Sequence, residues 1–135
     1  MVRRDALPAD EYRDDIIARV RHNRVTIIQG ETGCGKSSRV PMILLDAFAG
    51  AKMMVAQPRR IAAQGLYERA KQEGYGELVG MRMGGGVREE SRKTRVWLMT
   101  TGYLVRLASS SPESFRAHSH VIIDECHLCD GHVRH

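Results

Sequence analysis

Eight consecutive residues carry the sharpest chemical signal in this chain: Gly30-Glu31-Thr32-Gly33-Cys34-Gly35-Lys36-Ser37, a glycine, four residues, and then Gly-Lys-Ser. A glycine-rich turn that opens a helix lets successive backbone N–H groups and the helix N-terminus surround a phosphate anion. In such a turn Lys36 neutralises the β and γ phosphates and Ser37 offers its hydroxyl to Mg²⁺. A ligand-free glycine turn is the weaker reading, because the match is complete and sits between a strand-like and a helix-like run. Cys34 reads as a small residue that fits the turn.

The natural complement is Val121-Ile122-Ile123-Asp124-Glu125, an apolar run ending in two carboxylates. At the C-terminal edge of a parallel sheet, where α/β ligands bind, Asp124 suits a water-mediated Mg²⁺ contact. Glu125 there would orient and deprotonate an attacking water. Alone, such a run is more often a strand entering a polar loop. Its value comes from following the phosphate-loop pattern in an alternating β/α chain.

The elements that must position these groups can be read from apolar spacing. Val25–Gln29 is a short β-branched run predicted as a strand, and Lys36–Phe48 has Val40, Ile43, Leu44 and Ala47 at helical spacing. Met53–Ala56 reads as a second strand. Arg60–Glu73 reads as a second helix, with Ile61, Ala62, Gly65, Leu66 and Ala70 toward a sheet. Leu78–Met83 and Arg95–Met99 are strand-like. Gly84-Gly85-Gly86 breaks the pattern, and the charged stretch Val87–Thr94 reads as exposed. Thr101 is placed to cap a short helix through Ala108, Ser109–Pro112 reads as a loop, and His120–Asp124 as the last strand. At the front, Tyr12, Ile16, Ile17 and Val20 give Asp10–Arg21 a helical face. Alternating β and α elements specify an α/β fold, a mostly parallel sheet with flanking helices.

Composition narrows the classes. The 135 residues suit one domain or part of one, and 42% hydrophobic with 27% charged residues is globular, not disordered or collagenous. No apolar run approaches the length of a membrane span, so no membrane role is expected. The first ten residues lack the apolar stretch of a secretory signal. Three cysteines without a sign of export favour reduced thiols and a cytoplasmic or nuclear setting. Residues 52–106 hold 11 basic and 5 acidic groups of a chain whose net charge is +5, so any nucleic-acid contact should draw on that segment for phosphate binding. Seven aromatics are too few for a base-stacking platform.

Taken in order, the motifs resemble those of the DEAH/RHA (DExH-box) helicases of superfamily 2 over nearly the whole chain. Residues 30–37 look like motif I, with Val40-Pro41 following. Gln57-Pro58-Arg59-Arg60-Ile61-Ala62-Ala63 looks like motif Ia. Thr100-Thr101-Gly102 with Leu104 and Arg106 is similar to the Thr-Asp-Gly block, and Asp124-Glu125-Cys126-His127 fits motif II.

The resemblance implies an N-terminal RecA-like P-loop NTPase domain over residues 1–135, incomplete after motif II, with residues 1–24 forming a helix that leads into it. It implies ATP and Mg²⁺ as cofactors and single-stranded RNA, held by its backbone, as partner, and leaves room for an activating protein. Arg59, Arg60, Thr100 and Thr101 would face RNA, Arg69 would stack on the nucleotide base, and His127 would link the nucleotide site to a second domain. The chain departs from the family at Thr101, usually Asp, and at Leu128-Cys129, usually Glu-Arg. It departs again at Val79-Gly80-Met81, where Gly84 stands in place of a following arginine.

The sequence reaches His135 without the motif III and second RecA-like domain that the resembled family carries, so the expectation is a fragment or truncated product without appreciable unwinding and with aggregation-prone strand edges. Two other readings stay open: a different P-loop NTPase such as a DNA translocase, or a nucleotide- or RNA-binding remnant without turnover. Cys126, Cys129, His132 and His135, with His127, have zinc-like density, but a site there would pull Glu125 and His127 from the nucleotide, and the spacing lacks a finger's middle segment.

Overall fold

The alternating pattern becomes a five-stranded sheet with helices on both faces in the computed structural model, which describes residues 8–29 and 36–124. A 3-10 turn, Pro8–Tyr12, leads into α1 (Arg13–His22). Then come α2 (Lys36–Ala47), β1 (Met53–Gln57), α3 (Arg60–Gln72), β2 (Val79–Met83) and β3 (Val87–Glu89). β4 (Val96–Thr100), α4 (Thr101–Ser110), α5 (Pro112–Arg116) and β5 (His120–Ile123) complete the order.

The sheet runs β3-β2-β4-β1-β5; β2, β4, β1 and β5 are parallel and β3 is antiparallel. β1 lies second from one edge and is buried along its whole length. Its side chains alternate: Met53 and Val55 join α1, α2 and part of α3 in the larger core, while Met54 and Ala56 pack with Trp97, Met99 and Leu104 beneath α4. Each fully buried Met or Val contributes about 1.5–3 kcal/mol, so covering both faces accounts for a continuous apolar strand. Register sets what meets at the sheet's C-terminal edge: Gln57 pairs with Thr100, and the Asp124 N–H donates to the Ala56 carbonyl at 3.0 Å.

Several expectations need correction. Val25–Gln29 is not a ladder strand; Val25 and Ile27 are 78% and 80% exposed, while Ile28 packs against the core. Its alternation suits a strand, but strand formation needs a neighbour, and β5 pairs only with β1 among the described residues. Ile61 is 76% exposed and Gly65 is exposed too, whereas Ala70 is buried as expected and Ala63 joins it in the buried stripe of α3. Tyr12 ends the 3-10 turn and is exposed, so Ile16 alone of the four front-helix residues is fully buried.

Val87–Glu89 is a strand despite its charges, since it closes a hairpin whose turn uses Gly85 and Gly86 at φ near +78° and +79°. That hairpin explains Gly80: a Cβ there would stand 2.5 Å from the Glu89 carbonyl oxygen. The cap of α4 is Thr100, whose hydroxyl accepts the Tyr103 N–H at 3.2 Å, one residue before the expected position. Ser109 and Ser110 remain helical, and Pro112 starts α5 where its missing N–H costs nothing.

Candidate nucleotide and nucleic-acid site

α2 begins at Lys36, so the two residues that close the phosphate-loop pattern, Lys36 and Ser37, occupy its first turn. Gly30, Glu31, Thr32, Gly33, Cys34 and Gly35 lie outside the described residues, as do Glu125 and His127 and the cysteines and histidines of the tail. Among the described residues no cluster of three metal-ligating side chains forms, and no helix is long and apolar enough to cross a membrane.

Ser37 and Asp124, 87 positions apart, are brought into contact: the Ser37 hydroxyl donates to Asp124 Oδ2. The same oxygen accepts from Gln57 Nε2 at 2.6 Å. Three elements therefore converge at the C-terminal edge of the sheet, where crossovers leave a crevice for ligands. A hydroxyl beside a carboxylate is a hard-oxygen pair, the donor chemistry Mg²⁺ takes, so these residues fit that ion. Gln57 had no assigned role in the sequence reading beyond its place in a motif. Its signal was there nonetheless: a polar residue, 2% exposed, closing an otherwise apolar strand.

A shallow cleft flanks this point, lined by Ser37, Ser38, Leu66, Arg69 and Glu73 among others. Arg69 is half exposed and donates from Nε to Glu73 Oε2 at 3.1 Å. Arg39, 1% exposed, reaches the other oxygen of Glu73 at 3.0 Å and Asp10 at 3.5 Å. The carboxylate of Glu73 thus joins the cleft arginine to a buried one, and Asp10 ties the N-terminal segment to the same group. Neither Glu73 nor Arg39 was singled out from sequence, because a lone arginine or glutamate defaults to a solvated surface.

The proposed nucleic-acid residues gather at the adjoining part of the edge. Parallel pairing of β1 with β4 sets Gln57 beside Thr100, so the segment carrying Arg59 and Arg60 emerges next to the one carrying Thr100 and Thr101. Arg59 and Arg60 are exposed, and Thr100 and Thr101 half-buried. Arg60 Nη1 donates to the Gly84 carbonyl at 2.8 Å, and Arg106 Nη2 approaches within 3.0 Å of where a Cβ on Gly84 would stand. The glycine hairpin is thereby tied to the arginine segment. Where the resembled family has Asp, Thr101 begins α4, and the neutral Thr100 hydroxyl performs the capping.

On the opposite face of the sheet, Arg82 forks onto Glu90 at 2.6 and 3.1 Å, and Trp97 Nε1 donates to the same carboxylate at 3.3 Å. The Arg82 hydrogen bond and charge hold the Glu90 carboxyl below its usual range despite partial burial. His118 packs edge-on against Trp97 there, whereas His120, in register with Met53, packs against Phe48 on the α2 side; burial pushes both imidazoles below their ordinary values. These groups sit apart from the convergence at Asp124 and read as packing.

Comparison with known proteins points the same way. The family model described as DEAD/DEAH box helicase matches residues 10–135. The chain is 37% identical over 134 residues to ATP-dependent RNA helicase DHX30 of Rattus norvegicus, an alignment covering 92% of this chain and 11% of that protein. It is 38% identical over 143 residues to the DExH-box ATP-dependent RNA helicase DExH2 of Arabidopsis thaliana, covering 96% and 9%. The crystal structure of the Escherichia coli DEAH/RHA helicase HrpB superposes with a TM-score of 0.80 at 31% identity, covering 90% of this chain and 16% of that one. The chain therefore spans about a tenth of the length of the curated relatives it matches.

Proposed function

The chain belongs to the DEAD/DEAH box helicase family, and from that premise we propose that residues 1–135 form the ATP-binding portion, RecA-like in fold, of an RNA helicase. In the whole protein this portion would couple ATP hydrolysis to movement along single-stranded RNA. The observation that carries the reading is the contact between Ser37, at the end of the phosphate-loop pattern, and Asp124, at the start of the second motif.

Residues 30–35 would present backbone N–H groups to the phosphates, and Lys36 would add its ammonium charge. Ser37 and Asp124 would hold Mg²⁺, Asp124 through water, and Arg69 would lie against the base over the cleft it lines. When bound there, Mg²⁺ would supply neutralisation of phosphate charge. Glu125, the residue after Asp124, is assigned the orientation and deprotonation of water. Arg59 and Arg60 offer guanidinium forks to phosphate oxygens, with Thr100 and Thr101 beside them. His127 is assigned the link to a second domain. The reduced thiols inferred from sequence suit a cytoplasmic or nuclear protein.

A titration with a fluorescent ATP analogue in millimolar Mg²⁺ tests the reading. The folded wild-type chain binds, and Lys36→Ala does not. Folded wild-type protein that ignores ATP under these conditions overturns it. Glu125→Gln separates enzyme from binder, because it removes turnover and leaves binding in place.

A further inference from the structure

We infer that Gln57 is the positioning residue for Asp124, fixing the carboxylate so that Mg²⁺ strengthens nucleotide binding; the inference rests on the nucleotide reading above. Gln57 ends β1 at 2% exposure, the one polar side chain in a strand otherwise made of Met, Val and Ala. A buried primary amide is costly to bury unless its N–H groups find acceptors, so its place must be repaid by a specific partner. That partner is Asp124 Oδ2, at 2.6 Å.

Ser37 donates to the same oxygen. A hydroxyl can give a lone pair to a cation while its proton stays on the carboxylate, but it must then satisfy both partners from one rotatable oxygen. The amide of Gln57 lies on a fully buried strand, held by ladder pairing to β4 on one side and β5 on the other. It does not have to move for an ion to be accommodated. Of these two donors the Gln57 amide serves the carboxylate without also facing the ion, and it sets the carboxylate's orientation. Groups that hydrogen-bond to a metal-binding carboxylate typically govern affinity by about 10–100-fold when removed.

The backbone strengthens the assignment. Asp124 N–H is held by the Ala56 carbonyl at 3.0 Å, the residue before Gln57, so main chain and side chain of Asp124 are fixed by consecutive residues of one strand.

The test compares wild type with Gln57→Met, which keeps length and removes the donor, and Gln57→Asn, which keeps the amide but withdraws it by one methylene. For each, affinity for a fluorescent ATP analogue is measured with millimolar Mg²⁺ and with EDTA, and the ratio of the two is the readout. Loss of folded protein lowers both arms equally and leaves the ratio alone. Wild type shows a clear Mg²⁺ enhancement; in both variants the ratio falls about tenfold while the EDTA arm stays within about twofold. A variant shown by circular dichroism to be folded overturns the inference if it keeps the wild-type ratio, whether or not both arms have weakened. Should Gln57→Met not fold, Gln57→Asn decides alone. A wild-type chain that binds nucleotide in neither arm defeats the nucleotide reading itself, a result distinct from failure at Gln57.

Discussion

The guanidinium of Arg39, 1% exposed, is held by Glu73 at 3.0 Å, and the other oxygen of that carboxylate holds Arg69 at 3.1 Å. A charge so deeply buried persists only because it is paired, and removing one partner of a buried pair costs far more than the pair contributes on balance. Glu73→Ala should therefore destabilise the chain by about 3 kcal/mol, with Asp10 offsetting part of a larger loss. Arg39→Met in the same background should recover most of that, because the uncompensated charge goes with it. Urea unfolding midpoints at constant slope read both effects. A single Glu73→Ala variant as stable as wild type would show that Arg39 is solvated.

Arg59 is exposed where the arginine segment emerges beside Thr100, whereas Arg60 is tethered to Gly84. If Arg59 holds an RNA phosphate, Arg59→Ala should weaken single-stranded RNA equally for different sequences. It should also reduce the slope of log affinity against log salt by about 0.7. Arg60→Ala should lower affinity as well and loosen the hairpin at Gly84–Gly86, seen as faster amide exchange there. Unchanged salt slopes in both variants would remove these residues from the interface.

Local patterns were legible in the sequence and long-range pairings were not. Met53–Gln57 and Val79–Met83 follow from apolar runs, and the start of α2 at Lys36 from its glycine-rich approach, since neighbouring residues decide those features. Val25–Gln29 carries the same composition, yet a ladder is a property of two segments, and no described strand lies against it. The partners of Arg39 are equally remote, so a residue type that is usually solvated gave no hint of its burial. At the site, Ser37 and Asp124 were nameable because each belongs to a motif with a mechanism. The hydrogen bond from Gln57 depends on the register between β1 and β5, which apolar spacing does not fix.

Acid should loosen the face that carries Trp97. Glu90 is held below its usual range by Arg82, so it adds stability above the ordinary glutamate range that is lost as pH falls through its depressed value. His118 is held below the ordinary 6.5 by burial, so the unfolded chain takes up its proton first and stability falls as pH drops through that range. Both effects have the same sign. Chemical unfolding at pH 7, 5.5 and 4 should show a progressive loss. His118→Phe should flatten the upper part and Arg82→Gln the lower part. Variants with the wild-type pH profile would remove these two groups from the acid response.

β5 leaves one row of backbone N–H and C=O groups without a ladder partner among the described residues, and Val121 and Ile123 along it are 39% and 49% exposed. An apolar strand with an open edge is a template for another strand, and natural sheets usually blunt such edges with charge. Val25–Gln29, which pairs with no strand among the described residues, offers a second apolar segment, with Val25 and Ile27 largely in solvent. The 135-residue chain should therefore self-associate at roughly tens of micromolar, the range in which unpaired edges find each other. Val121→Lys should reduce that association with little loss of folding, since it places charge at an exposed edge position and leaves the buried face of β1 untouched. Sedimentation velocity across a concentration series reads the outcome. A wild-type chain that stays monomeric and unfolds in one cooperative thermal transition would mean that this edge is protected by something other than charge.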